Sequence, residues 1–145
     1  TPADNHVSGY LTGLFKSRNC RTVNDVLTVL RAIPEYQAGM AIGAGPVLTA
    51  GKGASNAGKI FVDMTGGTEG AKNIYARLSQ AGVGTIVAMH LSEGHFKNAK
   101  SEHMNVIVAG HIASDNLGMN LLLDKIESKE KLKVVPCSGF QRVRR

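Results

Sequence analysis

The sequence has little of several features that would place it in a special class of protein. Among its 145 residues there are two cysteines and no tryptophan. Cys20 and Cys137 stand far apart and outside any C-x-x-C context, which argues against a disulfide scaffold. No apolar run approaches the roughly 20 residues of a membrane span, and no basic-then-apolar signal peptide opens the chain. These absences favour a globular cytoplasmic protein that does not engage a membrane.

The charge balance is basic, with 17 lysines and arginines against 11 aspartates and glutamates. A net charge of +6 raises the expectation of polyanionic partners such as nucleotides or nucleic acid. Part of the excess lies in "QRVRR", residues 141–145. Because no set of aromatic residues for base stacking accompanies the scattered remainder, solvated surface charge is the favoured interpretation. Nucleic acid is the less supported partner.

The pattern of residues changes near position 58. Before it, apolar spacing predicts two short helices within residues 7–33, and Pro34 begins a third helix that ends among glycines. Thr22 and Asp25 form a capping-box pattern at the start of the second helix. Since residues 50–58 are small and glycine-rich, we expect a helical segment over 1–58, the end of an incomplete preceding domain plus a linker. A second domain is expected over 59–145.

From residue 59 onward, apolar runs alternate with helical segments. Strands are predicted for "KIFVDM", "GTIVAM", "NVIVAG" and "LKVVPC", with helices between them. This alternation predicts βαβ units in a mainly parallel or mixed sheet flanked by helices, hence the α/β class. Ligands of such sheets bind at the carboxyl ends of the strands. Asp63, His90 and His111 fall at those ends.

A glycine-rich turn, Gly66-Gly67-Thr68, follows the first of these strands. If a helix begins directly after it, backbone N–H groups and the helix dipole would favour an anionic group of a substrate. A tight turn that simply needs glycine explains the pattern equally well, because neither a dinucleotide fingerprint nor a P-loop lysine is present. Asp63 is expected either to cap this turn or to face a pocket.

The stretch "AGHIASDN" places His111 four residues before Asp115. Within a helix these two side chains would lie on one face, one turn apart. Imidazole and carboxylate are ligand types that Zn, Mn, Fe or Ni accept. The alternative is that Ser114 or Asp115 is the helix N-cap and His111 merely ends the strand.

Three other histidines lie in the same half of the chain. His90 stands at a strand end, so a role in a pocket and a structural role are about equally supported. His95 and His103 fall within or beside the following helical segment. For these two the structural interpretation is favoured.

The segments "GGTEG", "MHLSEGHFKNA", "VIVAGHIASDNLGMNLLLDKIE" and "TPADNH" together resemble the Nif-three-like family, whose bacterial members are often labelled GTP cyclohydrolase I type 2 homologues. The resemblance extends over essentially the whole chain. It implies a dinuclear divalent-metal site with Asp4, His111 and Asp115 among the ligands. His90 stands where family members commonly have glutamate, which implies a catalytic group beside the site.

Two departures from the family pattern affect this assignment. Asp115 replaces the usual glutamate, which shortens the carboxylate arm. The early histidine pair of the family and the histidine expected before Thr1 are missing, and the sequence does not begin with methionine. Together these observations predict that the sequence is the C-terminal portion of a longer polypeptide.

The resemblance implies a metal-dependent hydrolase in which metal-activated water attacks a nucleotide, as in opening the purine ring of GTP. Hydrolysis of a phosphoester or pyrophosphate would use the same residues. The alternative is a non-catalytic metal-binding scaffold or regulatory interaction module, and a third option is a fragment that is inactive alone. The resemblance also implies a homo-oligomer, a ring-like hexamer.

Overall fold

The computed structural model describes residues 2–67, 70–71 and 73–145, apart from the side chains of Pro2 and Ala3. This part of the chain forms a sheet with helices on both faces, which confirms the predicted α/β class. Its elements in chain order are α1 Pro2–Ser17, α2 Val23–Arg31, α3 Pro34–Ala41, β1 Val47–Ala50, β2 Lys59–Asp63, α4 Ile74–Gln80, β3 Val83–Ala88, α5 Glu93–Ser101, β4 Asn105–Val108 and α6 His111–Glu127.

The four strands pair in the order β1-β4-β3-β2. Strands β2, β3 and β4 run parallel, whereas β1 is antiparallel to β4. The sheet is therefore mixed, as predicted, and its three parallel strands end at one common edge. Strand β1 was not predicted from the sequence, because four residues beside a glycine-rich stretch carry too little of a strand pattern.

Alternate residues of the central strands enter two different cores. Val87 and Ile107 face a core built with α1, α2, α3 and α6. Ile86 and Val106 face a second core that includes residues of α4 and α5. Because both faces are covered, the central strands are continuous apolar runs rather than alternating ones. Among the described helices, none combines the length and apolar character needed to cross a bilayer.

The predicted capping box at the start of α2 is confirmed. Thr22 Oγ1 accepts a hydrogen bond from the Asp25 amide at 3.2 Å, and the Asp25 carboxylate accepts one from the Thr22 amide at 2.8 Å. Hydrogen bonds from the Thr22 and Arg21 amides hold the pKa of Asp25 below its usual range. Pro34 is the first residue of α3, also as predicted. Both features could be predicted from the sequence because each involves residues only a few positions apart.

The strand predicted over "LKVVPC" is wrong, because residues 131–137 adopt no regular secondary structure. The edge of β4 that a further strand would need for pairing is already occupied by β1. Val135 is left 70% exposed. The chain then returns to α6, where the Arg142 side chain is only 5% exposed. The interpretation of residues 141–145 as solvated charge is therefore wrong for this arginine.

Candidate functional site

Two histidines meet where adjacent parallel strands end. His90 follows the last residue of β3 by two positions, and His111 follows that of β4 by three. Backbone pairing continues past the strands, since the Ala109 amide donates to the Ala88 carbonyl at 2.7 Å. The two imidazole rings are stacked, with centroids 4.9 Å apart and planes 18° apart. The sequence located each histidine at a strand end, and the strand order makes them neighbours.

Helix α6 begins at His111, which removes the main structural alternative for this residue. Gly110 precedes it with a φ of 104°, a conformation that glycine adopts readily and other residues rarely adopt. A Cβ atom on Gly110 would lie 2.3 Å from the Ala44 carbonyl oxygen, so space also demands glycine. Ser114 and Asp115 both lie inside the helix. The hypothesis that one of them is the N-cap is therefore wrong.

A buried tyrosine supports the start of α6 from below. Tyr36 of α3 is fully buried, and its Oη lies 3.1 Å from Ser114 Oγ. Because Ser114 donates its single proton to the Gly110 carbonyl at 2.7 Å, the tyrosine hydroxyl is the donor between the two side chains. Burial raises the pKa of Tyr36 to about 12, which keeps this donor protonated. Two linked hydrogen bonds thus hold the turn that presents His111.

His111 and Asp115 lie on one side of α6, as their spacing predicted. His111 Nε2 and Asp115 Oδ2 are 3.6 Å apart, and the side chains are 46% and 60% exposed. Two ligands bound to one ion at about 2.0–2.2 Å in tetrahedral geometry stand about 3.4 Å apart. The observed spacing therefore suits a shared divalent cation. The shorter arm of aspartate still brings a carboxylate oxygen to the imidazole.

The Nδ1 atom of His90 is a buried polar atom without a hydrogen-bond partner among the described residues. Buried polar groups in folded proteins nearly always have such a partner, so an unmatched one calls for an explanation. Since this ring is stacked on His111, the unmatched nitrogen lies beside the candidate ligands. A bound water, substrate atom or ion would satisfy it.

A cavity of about 710 Å³ adjoins the His111–Asp115 pair on the side of Asp115. Asp115 lines it together with Asp4, which comes from the first turn of α1. The rest of the wall is largely apolar and includes Met64, Met89 and Met119. Within the described ranges, no three histidine, cysteine, aspartate or glutamate side chains are grouped closely enough to hold an ion. The structure thus assembles a two-donor pair and places a further carboxylate on the same cavity.

The glycine-rich turn lies close to His111, but it does not open a helix. A Cβ atom on Gly66 would stand 3.7 Å from His111 Nε2, whereas Gly67 has open space around it. Helix α4 begins only at Ile74, so Gly66 and Gly67 do not lie at the helix N-terminus that the anion-cradle interpretation requires. Asp63 caps its own turn by accepting a hydrogen bond from the Thr65 amide at 3.1 Å. Thr68 lies outside the described residues.

The two remaining histidines of this half have the structural settings that were favoured for them. His95 is buried, and its Nδ1 lies 3.0 Å from the hydroxyl of Tyr75. His103 is exposed, with a φ of 55°, just beyond the end of α5. It precedes β4 and so lies at the sheet edge opposite to His111.

Most of the side chains that support this site were not predicted from the sequence. Tyr36 gave no signal, because its contact with Ser114 joins residues 78 positions apart. The methionines of the cavity wall come from different elements and form no motif. Gly110 did carry a signal: a glycine directly between a strand and a helix commonly marks a position that needs a positive φ.

No protein-family model matches the chain, and no curated protein is significantly similar to it. Among solved structures, the fold is similar to that of a NIF3 superfamily protein from Sphaerobacter thermophilus, with a TM-score of 0.69 and 25% sequence identity. The match covers 94% of this chain and 49% of the other. The chain therefore spans about half the length of the solved structure that it matches.

Proposed function

We propose, from the premise that this chain belongs to the NIF3 superfamily, that it carries part of a divalent-metal site of a hydrolase acting on a nucleotide. His111 and Asp115 would bind one ion, and Asp4 would add a carboxylate from the same cavity. The observation that carries the proposal is the 3.6 Å spacing of His111 Nε2 and Asp115 Oδ2 at the mouth of the sheet. The metal, which is Zn, Mn, Fe or Ni by ligand type, would lower the pKa of a bound water and stabilise the charge that develops during its attack.

His90 would serve the reaction as the group that holds or passes a proton at Nδ1. The atom is buried and lacks a partner in the described part of the chain, and its ring is stacked on a proposed ligand. Imidazole is the usual side chain for proton transfer near neutral pH. This role is supported because His90 Nδ1 lies beside a proposed ligand and makes no hydrogen bond with the described residues.

The lining of the cavity supports a substrate with an apolar planar part and a negative charge. Methionine side chains adapt well to flat aromatic groups such as a purine. Lys125 also lines the cavity and would pair with a phosphate. Gly66 and Gly67 would border the substrate, since Gly66 adjoins His111. GTP ring opening and phosphoester hydrolysis both fit this arrangement.

An exposed apolar stripe on α6 supports a site that further polypeptide completes. Ile112, Met119 and Leu122 are 65%, 48% and 49% exposed, and with Asp115 they follow the spacing of a helix-packing seam. Met119 and Leu122 also line the cavity, so a polypeptide packed on this stripe would form a further wall of the substrate site as well as stand beside Asp115 and provide further ligands. A homo-oligomer, such as a ring-like hexamer, would supply such a neighbour.

Metal binding by purified protein tests the proposal directly. Isothermal titration with Zn²⁺ or Mn²⁺ is expected to show a site whose affinity falls at least about 10-fold in His111→Ala and Asp115→Asn, because mutation of a group that only supports a ligand already has an effect of this size. His103→Asn is the matched control, because it removes an exposed histidine at the opposite sheet edge and tolerates the positive φ. Equal binding by all four proteins would refute the site.

The second candidate function is a metal-binding scaffold or regulatory module without catalysis. It is favoured by the absence of any three-donor group among the described side chains. GTP hydrolysis assays with metal-loaded protein separate the two functions. The hydrolase predicts turnover that His90→Ala abolishes while metal binding persists, whereas the module predicts no turnover in either protein.

A further inference from the structure

Residues 141–145, here called the arginine tail, lie in a groove that the metal site does not use. The groove, here called the acidic groove, is formed by Glu35 of α3 and by Asn120, Asp124 and Glu127 of α6. It lies along the C-terminal half of α6, away from His111. The segment that leads to the tail, residues 131–137, is largely exposed and has no regular structure. The tail is thus attached to the fold as a ligand on a tether would be.

The groove recognises the tail backbone through Asn120. This side chain is fully buried, and its Nδ2 donates to the Gln141 carbonyl at 3.0 Å. Its Oδ1 accepts a hydrogen bond from the Val143 amide at 3.1 Å. In an extended chain, the carbonyl of one residue and the amide two positions later face the same side. Asn120 therefore pairs with the tail as the peptide group of a neighbouring strand would, whatever the side chain at position 143.

The groove also recognises the arginine side chains. Arg142 Nη2 contacts Asp124 Oδ1 at 2.6 Å and Glu127 Oε2 at 2.9 Å. Arg144 donates to both oxygens of Glu127, at 3.0 and 3.2 Å. Paired donation of this kind uses the planar fork of guanidinium and is not available to lysine. The contacts thus select arginine rather than positive charge in general.

The last arginine occupies a pocket of its own. Its guanidinium forms an ion pair with Glu35, whose side chain is 2% exposed. Arg145 also donates to the Tyr10 hydroxyl at 3.1 Å, and its guanidinium lies 5.4 Å from the centre of that ring. Asn120 Nδ2 donates a hydrogen bond to the other carboxylate oxygen of Glu35 at 2.8 Å. The buried Glu35 carboxylate is thereby paired with Arg145, three positions after Arg142.

We propose that the acidic groove is a peptide-binding site for Arg-x-Arg-Arg segments of other proteins, and that the arginine tail occupies it in cis. Backbone pairing through Asn120, fork pairing of Arg144 with Glu127, and the ion pairs of Arg142 and Arg145 define a peptide of this sequence without requiring that it belong to the same chain. The tethered tail competes at an effective concentration on the order of millimolar. An external segment therefore binds when the tail is weakened or displaced.

Fluorescence anisotropy with a labelled peptide QRVRR tests this proposal. The variant Arg142→Ala/Arg145→Ala of the whole 145-residue chain is expected to bind the peptide at least about tenfold more tightly than the unchanged chain does, because its own tail competes less. Two control peptides carry the same charge: QKVKK lacks the guanidinium fork, and QRPRR lacks the amide that Asn120 accepts. Both are expected to bind at least about tenfold more weakly than QRVRR.

Equal binding of the three peptides would overturn the proposal, because it would show only non-specific attraction of charge. Failure of the folded variant to bind QRVRR at millimolar concentration would also overturn it. If circular dichroism shows that the variant does not fold, amide hydrogen exchange on the unchanged chain replaces it. Excess QRVRR, but not QRPRR, should then accelerate exchange at Val143, and no acceleration would refute the proposal.

Discussion

The two ends of helix α6 differ in how far their charged and polar side chains are paired within the chain. At its start, His111 and Asp115 are 46% and 60% exposed, and the neighbouring His90 has a buried nitrogen without a partner among the described residues. Toward its end, Asn120 is fully buried, with both amide atoms engaged, and Glu127 accepts from two arginines. Asp124 Oδ2 and Arg142 Nε at this second end also lack a hydrogen-bond partner among the described residues, although both side chains are ion-paired with each other. We call the start of α6 its open end and the ion-paired C-terminal half its satisfied end, because paired charges hold a fold together whereas exposed ligand-type groups are free to bind an ion. The comparison predicts that mutations at the two ends will affect different properties.

The largest loss of stability is expected from Gly110→Ala, which lies at the open end of α6. A positive φ costs about 1–3 kcal/mol for alanine, and the contact with the Ala44 oxygen adds about 1–3 kcal/mol. We expect a loss of about 4 kcal/mol in the free energy of unfolding, measured in urea. Gly82→Ala is the control, because its φ is 82° and an added Cβ would meet nothing within 4 Å. A similar loss in both variants would show that the Ala44 contact does not matter.

The satisfied end is tested by Arg145→Met, which keeps the apolar stem and removes the charge. Glu35 would remain buried with Asn120 as its hydrogen-bond donor, and removal of one partner of a buried ion pair costs about 3 kcal/mol. Arg144 is 66% exposed, so Arg144→Met should cost less than about 1 kcal/mol. Urea unfolding of both variants checks this ranking, and the reverse order would contradict the buried pair.

A smaller effect is expected from the support beneath the open end. Tyr36→Phe removes the hydroxyl that donates to Ser114 and should cost about 1 kcal/mol. Combined with Ser114→Ala in a double-mutant cycle, it should show a coupling energy of about 1 kcal/mol. Strict additivity would mean that the two hydroxyls do not act together. Metal titration of Tyr36→Phe further tests whether the support affects ligand geometry.

The smallest effect concerns pH at the satisfied end. Hydrogen bonds from Arg144 and then Arg142 hold the pKa of Glu127 below its ordinary value. A lowered carboxyl pKa contributes stability above the unfolded value, about 4.3, and this contribution is lost as pH falls through the folded value. The stability difference between the unchanged chain and Glu127→Gln should therefore be constant near neutral pH and shrink below about pH 4. A difference that persists at acid pH would refute the role of this charge.

The capping box and the histidine-aspartate spacing could be read from the sequence because each depends on one turn of helix. Thr22 and Asp25 are three residues apart, and His111 and Asp115 are four. The stacking of His90 on His111 could not be read in this way, since it depends on β3 and β4 being neighbours. The strand predicted over "LKVVPC" was wrong for the same reason. Whether it could form depended on a distant strand, since β1 is bound at the edge of β4.

By itself, the sequence determined the α/β class, the strand ends at which His90 and His111 stand, and the shared helical face of His111 and Asp115. These features follow from local periodicity and spacing, which short-range backbone geometry imposes. Only the tertiary structure decided that Asp4 shares a cavity with Asp115 and that Arg142 and Arg145 are docked rather than solvated. The physical reason is that burial and charge pairing depend on groups far apart in the chain, and no local pattern records which of them will meet.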